Sequence, residues 1–119
     1  MTIDIHFDGV VFYPSIIKAE LLPDLNIHTE YGVPAPFGFA IWVMPEELEI
    51  KECYNFFDRY INLLYDNREI LTRAGCTGVE FSINSDYIFN IRQNLMEKLF
   101  LISGTIENNP YDLSLFYEY

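Results

Sequence analysis

Between positions 50 and 64, Ile50, Cys53, Tyr54, Phe57, Tyr60, Ile61 and Leu64 recur at steps of three and four residues. That spacing lines one side of an α-helix with apolar groups and predicts a helix over residues 46–65. A one-sided helix is stable only when its apolar side lies on another layer. Short alternating runs before and after it supply that layer. In "IDIHF", Ile3, Ile5 and Phe7 face one way while Asp4, His6 and Asp8 face the other; "GVEFSI" sets Val79, Phe81 and Ile83 against Glu80, Ser82 and Asn84. Such period-two alternation reads as half-buried strand. "LNIHTEY" alternates likewise. "FGFAIWVM" is apolar on both faces, which fits a central strand covered by a helix on at least one side and places Trp42 in the core.

Prolines and glycines punctuate these runs. Pro14 opens a helix whose apolar side is Ile16, Ile17, Leu21 and Leu22, and Pro23 stops it. Pro45 and the acids Glu46, Glu47 and Glu49 suit the positive end of the long helix's dipole. A shorter helix over 67–74 closes on Gly75, and a last one, marked by Ile91, Leu95, Leu99 and Ile102, closes on Gly104. "DYIFNI" is expected to return from Asn84-Ser85 as the second strand of a hairpin. "TIE", a turn at "NNP" and "YDLSLFYEY" then read as a closing strand pair. Strands and helices are interspersed, so the expected fold is α+β, a single domain over 1–119 with a mixed or mainly antiparallel sheet packed with helices.

Charge narrows the partners. The chain carries 18 acids and 7 bases, a net charge of -11. A surface that negative repels phosphates, so nucleic acid is not an expected partner, whereas a basic protein is attracted. The same charge also serves solubility alone. The first fifty residues hold eight acids and one base, Lys18, so a negative face would draw most on them. The N-terminus has no basic region and carries Asp4 and Asp8 where a signal peptide would be apolar. No apolar run has the length of a membrane span, and Cys53 and Cys76 show no metal spacing. A cytoplasmic location away from membranes is expected.

Chemistry is sparse. Asp4, His6 and Asp8 share a strand face, and His28 and Glu30 share another. Paired strands would bring them together, but a polar sheet face produces the same pattern, and no metal is assigned. Cys53 lies on the helix's apolar side. Cys76, in the turn "AGCTG", has no histidine beside it in sequence and reads as a small loop residue. Glu46, Glu47 and Glu49 stabilise a helix start more simply than they form a catalytic pair. No phosphate loop, serine elbow or HExxH motif is present. No enzyme, catalytic residue or cofactor is therefore expected. Tyr111, Phe116, Tyr117 and Tyr119 suit an interface and a sheet edge equally.

The succession "FDGVVFYPSIIKAELLP", "AIWVMP", "YNFFDRYINLLYDNREIL", "GVEFSI" and "IRQNLMEKLFLISG", closed by a strand ending in tyrosine, resembles a group of small bacterial domains. Members of that group occur among the immunity proteins of polymorphic-toxin and contact-dependent growth inhibition systems. The resemblance implies a protein that neutralises a cognate toxin domain, often a basic nuclease, by direct occlusion. It carries no residue roles with it. From charge alone, the candidate partner-binding residues are Asp4, Asp8, Asp24, Glu30, Glu46, Glu47 and Glu49, with Glu20 as a further contributor. Two other readings stay open: an acidic inhibitor of another nucleic-acid-binding machine, of phage type, and a small metal- or cysteine-dependent enzyme. The oligomeric state is also open.

Overall fold

In the computed structural model, which describes residues 2–32, 35–44, 47–84 and 91–109, the elements follow in the order β1 (Thr2–Gly9), α1 (Pro14–Glu20), β2 (Asn26–Thr29), β3 (Gly38–Val43), α2 (Ile50–Asp66), α3 (Arg68–Ala74), β4 (Gly78–Asn84), α4 (Gln93–Leu101) and β5 (Gly104–Asn109). The strands form one sheet ordered β2-β3-β1-β4-β5. β1 lies in its middle, antiparallel to β3 and to β4; β2 is antiparallel to β3, and β4 runs parallel to β5. A parallel pair needs a crossover, and α4 lies within this one. The fold is α+β.

One face of the sheet makes the core. Ile3, Ile5 and Phe7 of β1 are fully buried, in register with Trp42 and Ala40 on one side and with Ile83, Phe81 and Val79 on the other. All four helices contribute to the same cluster: Ile17 from α1, Phe56, Phe57, Ile61 and Leu64 from α2, Leu71 and Ala74 from α3, and Leu95 and Leu99 from α4. Phe57 meets Phe81 edge-on with ring centroids 6.0 Å apart. Trp42 is 7% exposed and packs on Tyr60 at 4.8 Å, so it is a core residue as its strand pattern indicates. Burying each such side chain contributes about 1.5–3 kcal/mol relative to leaving it in water.

The elements depart from the sequence reading at their ends. α2 starts at Ile50, not near 46, because the chain first runs extended through Glu49 (φ -79°, ψ 164°) while Leu48 is tucked into the core. Glu49 is the N-cap, and its N–H donates to Glu52 Oε1 at 3.1 Å. β2 is short and irregular: its register with β3 shifts between Ile27 and Thr29, which breaks the alternation and leaves Ile27 exposed. α3 ends as read, with Gly75 in the left-handed region at φ 86°. α4, by contrast, is closed by Ser103 at φ 55°, and Gly104 is already the first residue of β5.

Asn108 and Asn109 are not a turn; they continue β5 beside Ile83 and Asn84. Both sides of β4 are taken, by β1 and β5. The hairpin return expected over 86–91 lies almost wholly outside the described residues, and Ile91 precedes α4 without belonging to a strand. The closing strand expected over 111–119 lies outside them too.

Candidate functional site

Strand alternation sends every second residue to the sheet face opposite the core, and the described helices do not pack there. On β1 these residues are Thr2, Asp4, His6 and Asp8. The register sets Asp4 beside Val43 and Ser82, His6 beside Ile41 and Glu80, and Asp8 beside Phe39 and Gly78. Further out, Ser82 pairs with Glu107 of β5 and Glu80 with Thr105. The face thus has two halves. β3 lays down an apolar row of Phe39, Ile41 and Val43, the last 51% exposed. β1, β4 and β5 lay down Asp4, Asp8, Glu80 and Glu107 around a single imidazole. "FGFAIWVM" is therefore only half core: its apolar residues on the second face have no helix over them among the described residues.

The polar half is electrostatically tight. His6 Nδ1 lies 3.5 Å from Glu80 Oε1. Partial burial pushes the Glu80 carboxyl above its ordinary range, the neighbouring Glu107 carboxylate and its hydrogen bond push the same way, and His6 opposes them. His6 and His28 both lie against the ring of Phe39, with centroids 6.0 and 5.4 Å from it. The two imidazoles are thus arranged about an aromatic ring. Among the described residues, no group of three or more His, Cys, Asp or Glu side chains is placed to hold a metal ion.

Cations are placed elsewhere. Lys18 is on α1, Lys51 and Arg59 on α2, Arg68 and Arg73 on α3, Lys98 on α4, and Arg92 is the α4 N-cap. Those are all seven Lys and Arg residues of the chain, and none lies on a strand. Most are spent internally. Arg73 pairs with Glu20 at 2.6 Å, Arg92 pairs with Asp58, Lys98 donates to Asn62 Oδ1, and Arg68 donates to the Tyr65 carbonyl. The groove of about 260 Å³ between α2 and α4 is crossed by the Arg92–Asp58 pair. The helices and their caps thus carry all seven cations together with seven acids (Glu20, Glu49, Glu52, Asp58, Asp66, Glu69 and Glu97), whereas the sheet face behind them carries carboxylates and no Lys or Arg.

No known family, curated protein or solved structure matches the chain.

Of the seven acids singled out from sequence, the six described ones are spread over several places. Asp4 and Asp8 share the open sheet face. Asp24 is exposed in the connection between α1 and β2. Glu30 follows β2, and its Oε1 accepts the Ser15 N–H at 3.0 Å beside the start of α1. Glu47 is exposed ahead of α2, Glu49 caps that helix, and Glu46 lies outside the described residues. Glu20 is held by Arg73. Counting acids along the first fifty residues missed Glu80 and Glu107, which reach the face from β4 and β5. Glu80 was visible in the alternation of "GVEFSI" and Glu107 in the strand read at "TIE"; the strand order that puts both on the face of Asp4 and Asp8 was not.

The cysteines offer no activated nucleophile. Cys53 is fully buried on α2, and burial raises its thiol. Cys76 is half-buried, its Sγ donates to the Gly78 carbonyl at 3.3 Å, and burial pushes its thiol up to about 11.

Proposed function

We propose that this chain is a cytoplasmic immunity-type protein that binds a basic, nuclease-type toxin domain and covers its substrate-binding surface. One observation carries the reading: every Lys and Arg lies on the helical layer, while the open sheet face presents carboxylates beside an apolar row. Such a face attracts a basic partner and orients it before contact. The apolar row of β3 then supplies a surface that gains from losing water. Carboxylates stand in for the phosphates that a nuclease groove is built to receive. Among the described residues no helix is long and apolar enough to cross a membrane.

The test is growth of a bacterial host expressing the C-terminal domain of the polypeptide encoded beside this gene, with and without this chain. Rescue of growth and co-purification of the two proteins are expected. An Asp4→Asn, Glu107→Gln variant that still folds is expected to bind more weakly, since breaking a buried charged pair at such a contact costs about 2–5 kcal/mol and losing a rim charge slows association. Toxicity that this chain leaves unrelieved overturns the reading.

A further inference from the structure

At the end of the sheet where β1 leaves it, the chain makes a connection whose centre is buried and whose flanks are bare. Phe12 is fully buried, yet Val10 and Val11 beside it are 66% and 53% exposed. Gly9 is in register with Gly38 at the end of that ladder, and the residue before Gly38, Phe37, is 46% exposed. Tyr13 and Tyr31 meet edge-on at 5.9 Å, and both keep exposed surface. Two valines, two tyrosines and a phenylalanine therefore keep exposed apolar surface at this end of the sheet.

The patch is rigid. The Tyr13 N–H donates to the Ala74 carbonyl at 2.7 Å, Tyr31 N–H to the Phe12 carbonyl at 3.0 Å, and Thr77 N–H to the Asp8 carbonyl at 2.9 Å. Gly75, at φ 86°, passes so close that a Cβ there would sit 1.9 Å from the Val11 carbonyl oxygen. A Cβ at Gly38 would sit 2.4 Å from the Phe12 carbonyl oxygen. Three separate segments thus clamp the backbone around the two valines, which reduces the backbone ordering that binding there would cost. Exposed apolar side chains on a held backbone, with tyrosines beside them, offer a partner surface that gains from losing water.

Charge selects the occupant. Asp8 and Glu30 flank the patch, and the only cation between residues 8 and 37, Lys18, donates its ammonium to the Leu25 carbonyl at 2.9 Å. We propose that the Val10–Val11 tip is the apolar anchor for a basic protein partner, seated in a pocket whose margin carries Lys or Arg to meet Asp8 and Glu30. This rests on the basic-partner reading above and narrows it to a place: the contact is anchored at the β1–α1 end of the sheet, and the acidic face beside it steers.

Random peptides displayed on phage are panned on the full chain and then measured against a Val10→Ser, Val11→Ser double variant whose melting temperature matches the parent. The expected peptides combine Lys or Arg with aliphatic or aromatic residues and bind the double variant about tenfold or more weakly. A Val10→Asp variant separates anchor from charge. It too is expected to bind more weakly, although it is more acidic. Absence of enrichment, peptides without basic residues, or undiminished binding to the variants overturns the proposal. So does sedimentation showing a dimer that the double variant dissociates, since a second copy would then cover the patch. Growth rescue reports separately on the toxin reading: rescue that survives loss of both valines sinks the anchor alone, and failed rescue with tip-dependent peptides sinks the toxin alone.

Discussion

Glu80 shows how one residue on the open face couples fold to pH. Its carboxyl is raised, first by burial and then by Glu107, so the folded chain holds that proton more tightly than the unfolded chain does. Stability from this group is therefore full below the unfolded carboxylate range and is lost as pH rises through the folded value. Glu80→Gln keeps the shape and removes the charge. It is expected to raise the melting temperature at pH 7 and to have no such effect at pH 3, where Glu80 is protonated in both states; an equal effect at both values defeats the argument. Cys76 gives a second residue-scale expectation. With its thiol pushed up to about 11, it is expected to react negligibly with a disulfide reagent at pH 7.5 in the native protein and fully in denaturant. Rapid native labelling, lost on Cys76→Ser, would show that burial does not protect the sulfur.

At the scale of elements, the connections matter more than the helices they join. Gly75 and Gly32 both have positive φ, but only Gly75 is crowded: nothing lies within 4 Å of a Cβ at Gly32. Alanine at either position strains the backbone, by about 1 kcal/mol or more. At Gly75 it also collides with Val11, so Gly75→Ala is expected to cost at least about 2 kcal/mol more than Gly32→Ala in urea unfolding. Equal costs would mean that the α3–β4 connection gives way and does not clamp the tip. The closing glycine of α3 was legible because a left-handed C-terminal residue leaves a signature in a helical pattern. The clamp was not, because it is made by contacts between separate segments, the α3–β4 part of it between residues more than sixty positions apart in sequence. The late start of α2 was hidden for a related reason: the pattern of acids at 46–49 looks the same whether they begin a helix or precede one, and only the burial of Leu48 distinguishes the two. Ile3, Ile5, Phe7 and Phe57 were legible as core because period alone decides which side of an element meets its neighbour; Trp42, on a strand apolar on both faces, was legible only as a large aromatic that supplies burial.

For the molecule as a whole, what periodicity leaves open is which strands are neighbours, and that decides the site. Asp4 and Glu107 are more than a hundred residues apart, yet they flank Ser82 on adjacent strands, roughly 10 Å from each other at the usual strand spacing. No count along the chain places them together, and the net charge of -11 says nothing about the side on which it collects. The segregation itself makes a kinetic prediction. If the carboxylate face steers a basic partner, neutralising two charges there must slow association more than neutralising one on the helical layer slows it, in excess of the two-to-one ratio of charge removed. Asp4→Asn with Glu107→Gln, compared with Asp66→Asn at the end of α2, is expected to lower the association rate constant several-fold at low salt while leaving dissociation nearly unchanged. The gap between the variants should close as ionic strength approaches 1 M, where screening acts over about 3 Å and the face no longer reaches beyond contact. Rates that scale only with total charge, whichever layer loses it, would leave the sheet face no more than a soluble surface and move the search for the contact to the apolar tip alone.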